Sequence, residues 1–107
     1  MTDDIRLGFT NDSNKDGPGT ILIKNYKFGL VESQKDIFDV YDFDAIVGLA
    51  YKTAAADNVV PLFDHMKSRG YLKQNVFTFR MSSLDDEKNG LKPLMTFGFA
   101  NEKFFSG

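Results

Sequence analysis

The 107-residue sequence contains no cysteine, no tryptophan, a single histidine and only three prolines. Without cysteine there is neither a disulfide framework nor thiolate chemistry, a composition that fits a reducing compartment. The lone histidine, His65, has no second imidazole or thiolate to join it, so a transition-metal site or a Cys-His pair lacks its groups. Neither charge sign dominates: 13 Lys and Arg stand against 15 Asp and Glu, for a net charge of −2. That balance excludes the basic face of a nucleic-acid binder and the polybasic patch of a membrane-surface protein. No apolar run reaches the length of a membrane span. The opening Met1-Thr2-Asp3-Asp4 is acidic and polar, unlike a signal peptide. The glycines at 17, 19, 29 and 48 form neither a P-loop nor a dinucleotide fingerprint, and no serine has a nucleophile-elbow context.

What is present is aromatic and β-branched. Eleven phenylalanines and 42% hydrophobic residues suffice for the core of one small domain, read as residues 1–107 without a linker or repeat. The most apolar compact run is Phe43-Asp44-Ala45-Ile46-Val47-Gly48-Leu49-Ala50-Tyr51, which reads as a buried strand. Gly48 within it is expected to allow a close approach by another backbone. Shorter strand patterns occupy residues 5–9, 20–24 and 26–31, with Gly29 as a candidate bulge and Asn25 as a turn. A helix is expected over 59–69. Asn58 would be its N-cap, Pro61 lies in its first turn, and Gly70 follows its last residue. Its stripe is Val59, Leu62, Phe63 and Met66, which leaves His65 on the solvated face. Residues 74–81 alternate as a strand and 94–99 form another. The charged segment 82–90, ending in Asn89-Gly90, joins them as a long hairpin loop. The fold class is therefore mostly β with one main helix.

Few motifs carry chemistry. Asp12-Ser13-Asn14-Lys15-Asp16-Gly17 opens like an EF-hand loop, but the twelfth position is Ile23 where a bidentate Glu is needed, and no helix precedes it. It reads as a polar turn. Asn11-Asp12-Ser13 is a glycosylation sequon, relevant only to a secreted chain. A catalytic carboxylate pair needs two acids forced together in a low-dielectric site. The acids here fall mostly in polar runs. Asp42 and Asp44, flanking Phe43, are the ones placed for more, and a structural role at a strand edge suits them better than catalysis.

With these residues in view, the chain resembles the latter part of the N-terminal lobe of pepsin-like aspartic proteases. Phe43 to Tyr51 is similar to the family's Phe-Asp-Gly-Ile-Leu-Gly-Leu-Ala-Tyr run. Val59-Val60-Pro61-Leu62-Phe63-Asp64 is similar to the helix that follows, and Gly70-Tyr71-Leu72 with residues 74–79 to the next turn and strand. Leu94-Met95-Thr96-Phe97-Gly98 resembles the strand ending in Phe-Gly-Gly, and Phe104-Phe105-Ser106-Gly107 the aromatic-Thr-Gly beyond it. The match runs in order over about residues 20–107 and implies a partial pepsin-like lobe. The catalytic Asp-Thr-Gly or Asp-Ser-Gly is absent, Asp12-Ser13-Asn14 being the nearest. Phe9 is a poor counterpart of the flap tyrosine. Phe99 and Asn101 replace the family's second glycine and nearby Asp, and Lys52 stands where a proline is common.

By this resemblance, Phe43 and Ile46 would line the substrate pocket beside the cleaved bond, and Asp44 and Gly48 would be structural. No catalytic residue, metal ligand or cofactor is expected in this chain. Two functions remain open. In one, the chain is a portion of an aspartic endopeptidase that supplies pocket wall while the aspartates lie on the remainder of a protease chain. A peptide substrate would then bind only once the full site is assembled. In the other, it is an inactive structural or interaction module that joins another protein subunit. The compartment is left open, since the family is usually secreted or lysosomal and this sequence has neither signal peptide nor cysteine.

Overall fold

The computed structural model describes residues 1–8, 19–33, 40–41 and 43–106. The EF-hand-like segment, the sequon, Phe9 and Asp42 lie outside the described residues. The chain divides into two compact units, Met1–Arg69 and Gly70–Gly107.

The first unit is built on a hairpin. Strand β1 (Thr2–Leu7) pairs antiparallel with β2 (Ile21–Lys27), with Ile5 opposite Ile23 and Leu7 opposite Ile21. Reciprocal bonds between Met1 and Phe28, each 3.0 Å, extend the ladder by one step. Asn25 does not end the strand as a turn. It takes a left-handed φ of 53° inside β2, and the register shifts between Asp3 and Ile5. Asn25 N–H, displaced from the ladder, donates to the Asp4 carboxylate at 3.0 Å. This is a bulge, where one strand carries an extra residue and needs a side-chain acceptor for its orphan amide.

Helix α1 (Leu62–Ser68) packs on β2. It is shorter than the residue pattern implies. Asn58 closes a 3-10 turn, Ala56–Asn58, with φ 55°, and Pro61 is the actual N-cap. A proline at 61 holds the preceding residue away from helical geometry, so the helix cannot begin before it. Ile23, Leu62 and Met66 are the buried hydrophobic residues among the described residues of this unit.

The run 43–51 is not a strand and is not buried. Its backbone is irregular, and Ile46 is 76% and Tyr51 86% exposed. A strand requires a neighbour for its ladder, and the two sheets found among the described residues are β1–β2 and the hairpin of the second unit. Nor does any described backbone approach Gly48: a Cβ built there meets nothing within 4 Å among the described residues.

In the second unit β3 (Phe77–Arg80) pairs antiparallel with β4 (Leu94–Phe97), Thr78 facing Thr96. Thr96 is buried, its hydroxyl donates to Phe99 O at 3.0 Å, and it shares a second hydrogen bond with the Thr78 hydroxyl. The close approach expected at Gly48 occurs instead at Gly98. That glycine has φ 84°, and a Cβ there would lie 3.2 Å from Lys73 N. Its backbone bonds Val76 O at 2.7 Å and Gln74 N at 3.1 Å.

The segment 82–90 is not only loop. It contains α2 (Leu84–Lys88), started by a capping box between Ser83 and Asp86. Leu91 N donates to Asp86 O and Gly90 N to Glu87 O, with Gly90 at φ 81°. This Schellman pattern spends Asn89-Gly90 on ending a helix rather than on a two-residue hairpin turn. The architecture is thus two small sheets and one main helix, consistent with a partial lobe. The four strands hold more residues than the two α-helices.

Candidate functional site

The residues singled out as pocket wall lie on the irregular run of the first unit. Phe43 is 46% exposed. Its N–H donates to Tyr41 O at 3.1 Å, and its ring sits 6.0 Å from that of Tyr41, tilted by 31°. Ile46 stands clear of the core. The structure therefore gathers an aromatic pair at 41 and 43 and leaves Ile46, Val47 and Tyr51 as exposed apolar side chains on the same stretch. Asp44, exposed, begins this stretch and Lys52, also exposed, ends it. Exposed apolar residues scattered singly are ordinary, whereas a contiguous series marks a contact surface.

A second cluster was missed in the sequence. His65 is half-buried, and its Nε2 donates to Lys24 O at 3.2 Å. Its ring meets the Tyr26 ring edge-on, with 5.3 Å between centroids and 70° between planes. The solvated position expected for His65 is incorrect because the helix face packed on β2 is centred on Leu62 and Met66, and His65 shares that stripe at the i+3 position. Burial pushes the Tyr26 phenol above its usual value. The signal was available: with Val59 outside the helix, the stripe rotates toward 62, 65 and 66.

In the second unit the charged groups serve structure. Ser83 N–H and Ser83 Oγ donate to the Asp86 carboxylate at 3.0 and 2.9 Å and hold its carboxyl below the usual carboxylate range. Arg80 Nη1 donates to Lys92 O at 3.0 Å, while its guanidinium lies 4.7 Å from the centre of the Phe104 ring. Among the described residues no group of three or more His, Asp or Glu could hold a metal ion. No described helix is long and apolar enough to cross a membrane.

The amino-acid sequence of this chain matches known proteins. A family model described as eukaryotic aspartyl protease matches residues 14–107. Embryonic pepsinogen from Gallus gallus is 35% identical over 89 residues, covering 82% of this chain and 22% of its own length. Pepsin A from Canis lupus familiaris is 36% identical over 90 residues, covering 83% and 22%. Aspartic protease 3 from Toxoplasma gondii is 34% identical over 93 residues, covering 81% and 14%. The chain belongs to the eukaryotic aspartyl protease family, within its pepsin-like branch. It spans about a fifth of the length of the pepsin relatives it matches.

Proposed function

We propose that this chain is a portion of a pepsin-like aspartic endopeptidase that supplies pocket wall and lobe core but not the catalytic aspartates, and that it is inactive alone. The observation that supports it is the exposed apolar run 43–51, in a family member whose sequence has neither Asp-Thr-Gly nor Asp-Ser-Gly. Peptide hydrolysis in such an enzyme is attack by a water held between two carboxylates that share one proton, since like charges so close cannot both ionise. In the assembled site Phe43 and Ile46 present apolar surface to the substrate side chain beside the cleaved bond. The remainder of the protease supplies the carboxylates.

The test is a peptidase assay on the purified chain from strongly acidic to neutral pH, with and without pepstatin, together with the intact mass of the native polypeptide. No cleavage by the 107-residue chain is expected, and an upstream Asp-Thr-Gly in the same native polypeptide supports the reading. Pepstatin-sensitive cleavage by the chain alone overturns it. The same exposed run favours a second reading, a family-derived module without activity that docks on another subunit. A native polypeptide with no catalytic aspartate decides for that alternative.

A further inference from the structure

The sequence has one Asn-Gly step, Asn89-Gly90. Glycine carries no Cβ, so no backbone nitrogen that can follow an asparagine is less shielded. In an unfolded chain that nitrogen reaches the carboxamide carbon Cγ of the preceding side chain and closes a five-membered ring. The fold holds the pair out of that geometry in three ways. Asn89 has ψ 9°, which eclipses the Gly90 nitrogen with the Asn89 nitrogen and leaves it a third of a turn from Cβ. Gly90 N–H donates to Glu87 O at 3.0 Å. Asn89 Nδ2 donates to Asp85 O at 2.9 Å, which ties down the carboxamide. Both residues are nonetheless exposed, so water reaches them. All three restraints belong to the end of α2, whose start is closed by the Ser83–Asp86 capping box. They lie within residues 83–91, so none depends on what the rest of a protease covers.

We propose that Asn89 is a deamidation site that the folded end of α2 keeps shut, and that it converts when α2 opens. In the open segment hydroxide takes the Gly90 amide proton and the nitrogen attacks Asn89 Cγ. The Gly90 N–Cγ bond forms, the Cγ–Nδ2 bond breaks, and Nδ2 leaves as ammonia after taking a proton from water. A second water opens the succinimide. Cleavage of the Gly90 N–Cγ bond leaves an aspartate. Cleavage of the bond from Gly90 N to the backbone carbonyl carbon leaves an isoaspartate, with the main chain running through the side chain. Nothing is oxidised or reduced: one water is consumed and one ammonia released. The change is also one-way for the helix. A carboxylate at 89 has no proton to donate to Asp85 O, and it sets negative charge at the helix end where the carbonyls already concentrate it. An isoaspartate adds a backbone atom before Gly90, so the bonds from Gly90 N to Glu87 O and from Leu91 N to Asp86 O lose their register.

The proposal stands apart from the peptidase reading, since its test involves no peptide cleavage by the chain. The full chain is held at mildly alkaline pH and sampled over time for peptide mapping by mass spectrometry. Deamidation reads as a gain of one mass unit at residue 89, divided between aspartate and isoaspartate. Conversion is expected to be about tenfold slower in buffer than in urea, because a short exposed helix opens at a small free-energy cost. Asp86→Ala removes the capping box and leaves the Asn89 and Gly90 bonds in place. It is expected to speed conversion in buffer by about fivefold, the factor that loss of a cap gives in helix opening, and to leave the rate in urea unchanged. Amide shifts of β3 and β4 check that the ladder is intact in that variant. Asn89→Asp supplies the product charge directly and is expected to loosen residues 84–88 at neutral pH. Equal rates in buffer and in urea, an Asp86→Ala chain that converts like the parent, a mass gain that maps to another asparagine, or an Asn89→Asp chain whose residues 84–88 keep the parent's shifts would each overturn the proposal.

Discussion

At the residue scale the decisive contrast is between two glycines. Gly48 and Gly98 both follow an apolar β-branched or aromatic stretch, and sequence alone favours Gly48 as the crowded one. The structure reverses that. Gly98 combines a left-handed φ with backbone neighbours at 3.2 and 3.4 Å, while Gly48 has neither constraint. Gly98→Ala is therefore expected to lower the urea midpoint by an amount equivalent to about 1–2 kcal/mol, the cost of a Cβ at positive φ. Gly48→Ala is expected to stay within about 0.5 kcal/mol of the parent. Equal melts for the two variants would remove the assigned difference. Thr96 offers a second residue-scale test. Its hydroxyl is buried between Thr78 and Phe99 O, so Thr96→Val keeps the volume and strips both bonds. A loss of about 1–3 kcal/mol is expected, because the Thr78 hydroxyl and the Phe99 carbonyl lose their common partner. A neutral result would mean that water replaces it.

At the element scale the capping box of α2 is a pH-dependent device of modest reach. Asp86 in the fold titrates below its ordinary 3.8 because Ser83 donates to its ionised form. A carboxyl depressed in this way stabilises the fold above the unfolded pKa and loses that contribution as pH falls through the folded value. Acid below about pH 4 is therefore expected to loosen residues 84–88 before the β3–β4 ladder, as read by amide shifts. In Asp86→Ala the same signals should be loosened already at neutral pH and respond little to acid. Uniform loss of all signals in one acid transition would contradict this. Strand β3 was legible from alternation, β4 as the apolar run following Pro93, and α1 from Pro61 and Gly70. The helix in 84–88 was not read, although Ser83-Leu84-Asp85-Asp86 is a cap signature, because a run of acids beside Asn-Gly imitates a solvated loop. The run 43–51 was misread for the opposite reason. Its composition is that of a strand, but pairing is a property of neighbours, and no described strand lies alongside it. The proposal that Phe43 and Ile46 line a pocket rests on family resemblance alone. His65 could have been found by asking which residues share a face with Leu62 and Met66.

At the scale of the whole molecule, the buried hydrophobic core among the described residues is three side chains, Ile23, Leu62 and Met66. Large-to-small replacement in such a core costs about 2–5 kcal/mol, a large part of the roughly 5–15 kcal/mol that a domain has in total. Met66→Ala is therefore expected to abolish cooperative melting of the unit Met1–Arg69, seen as loss of amide protection in β2 and α1 together.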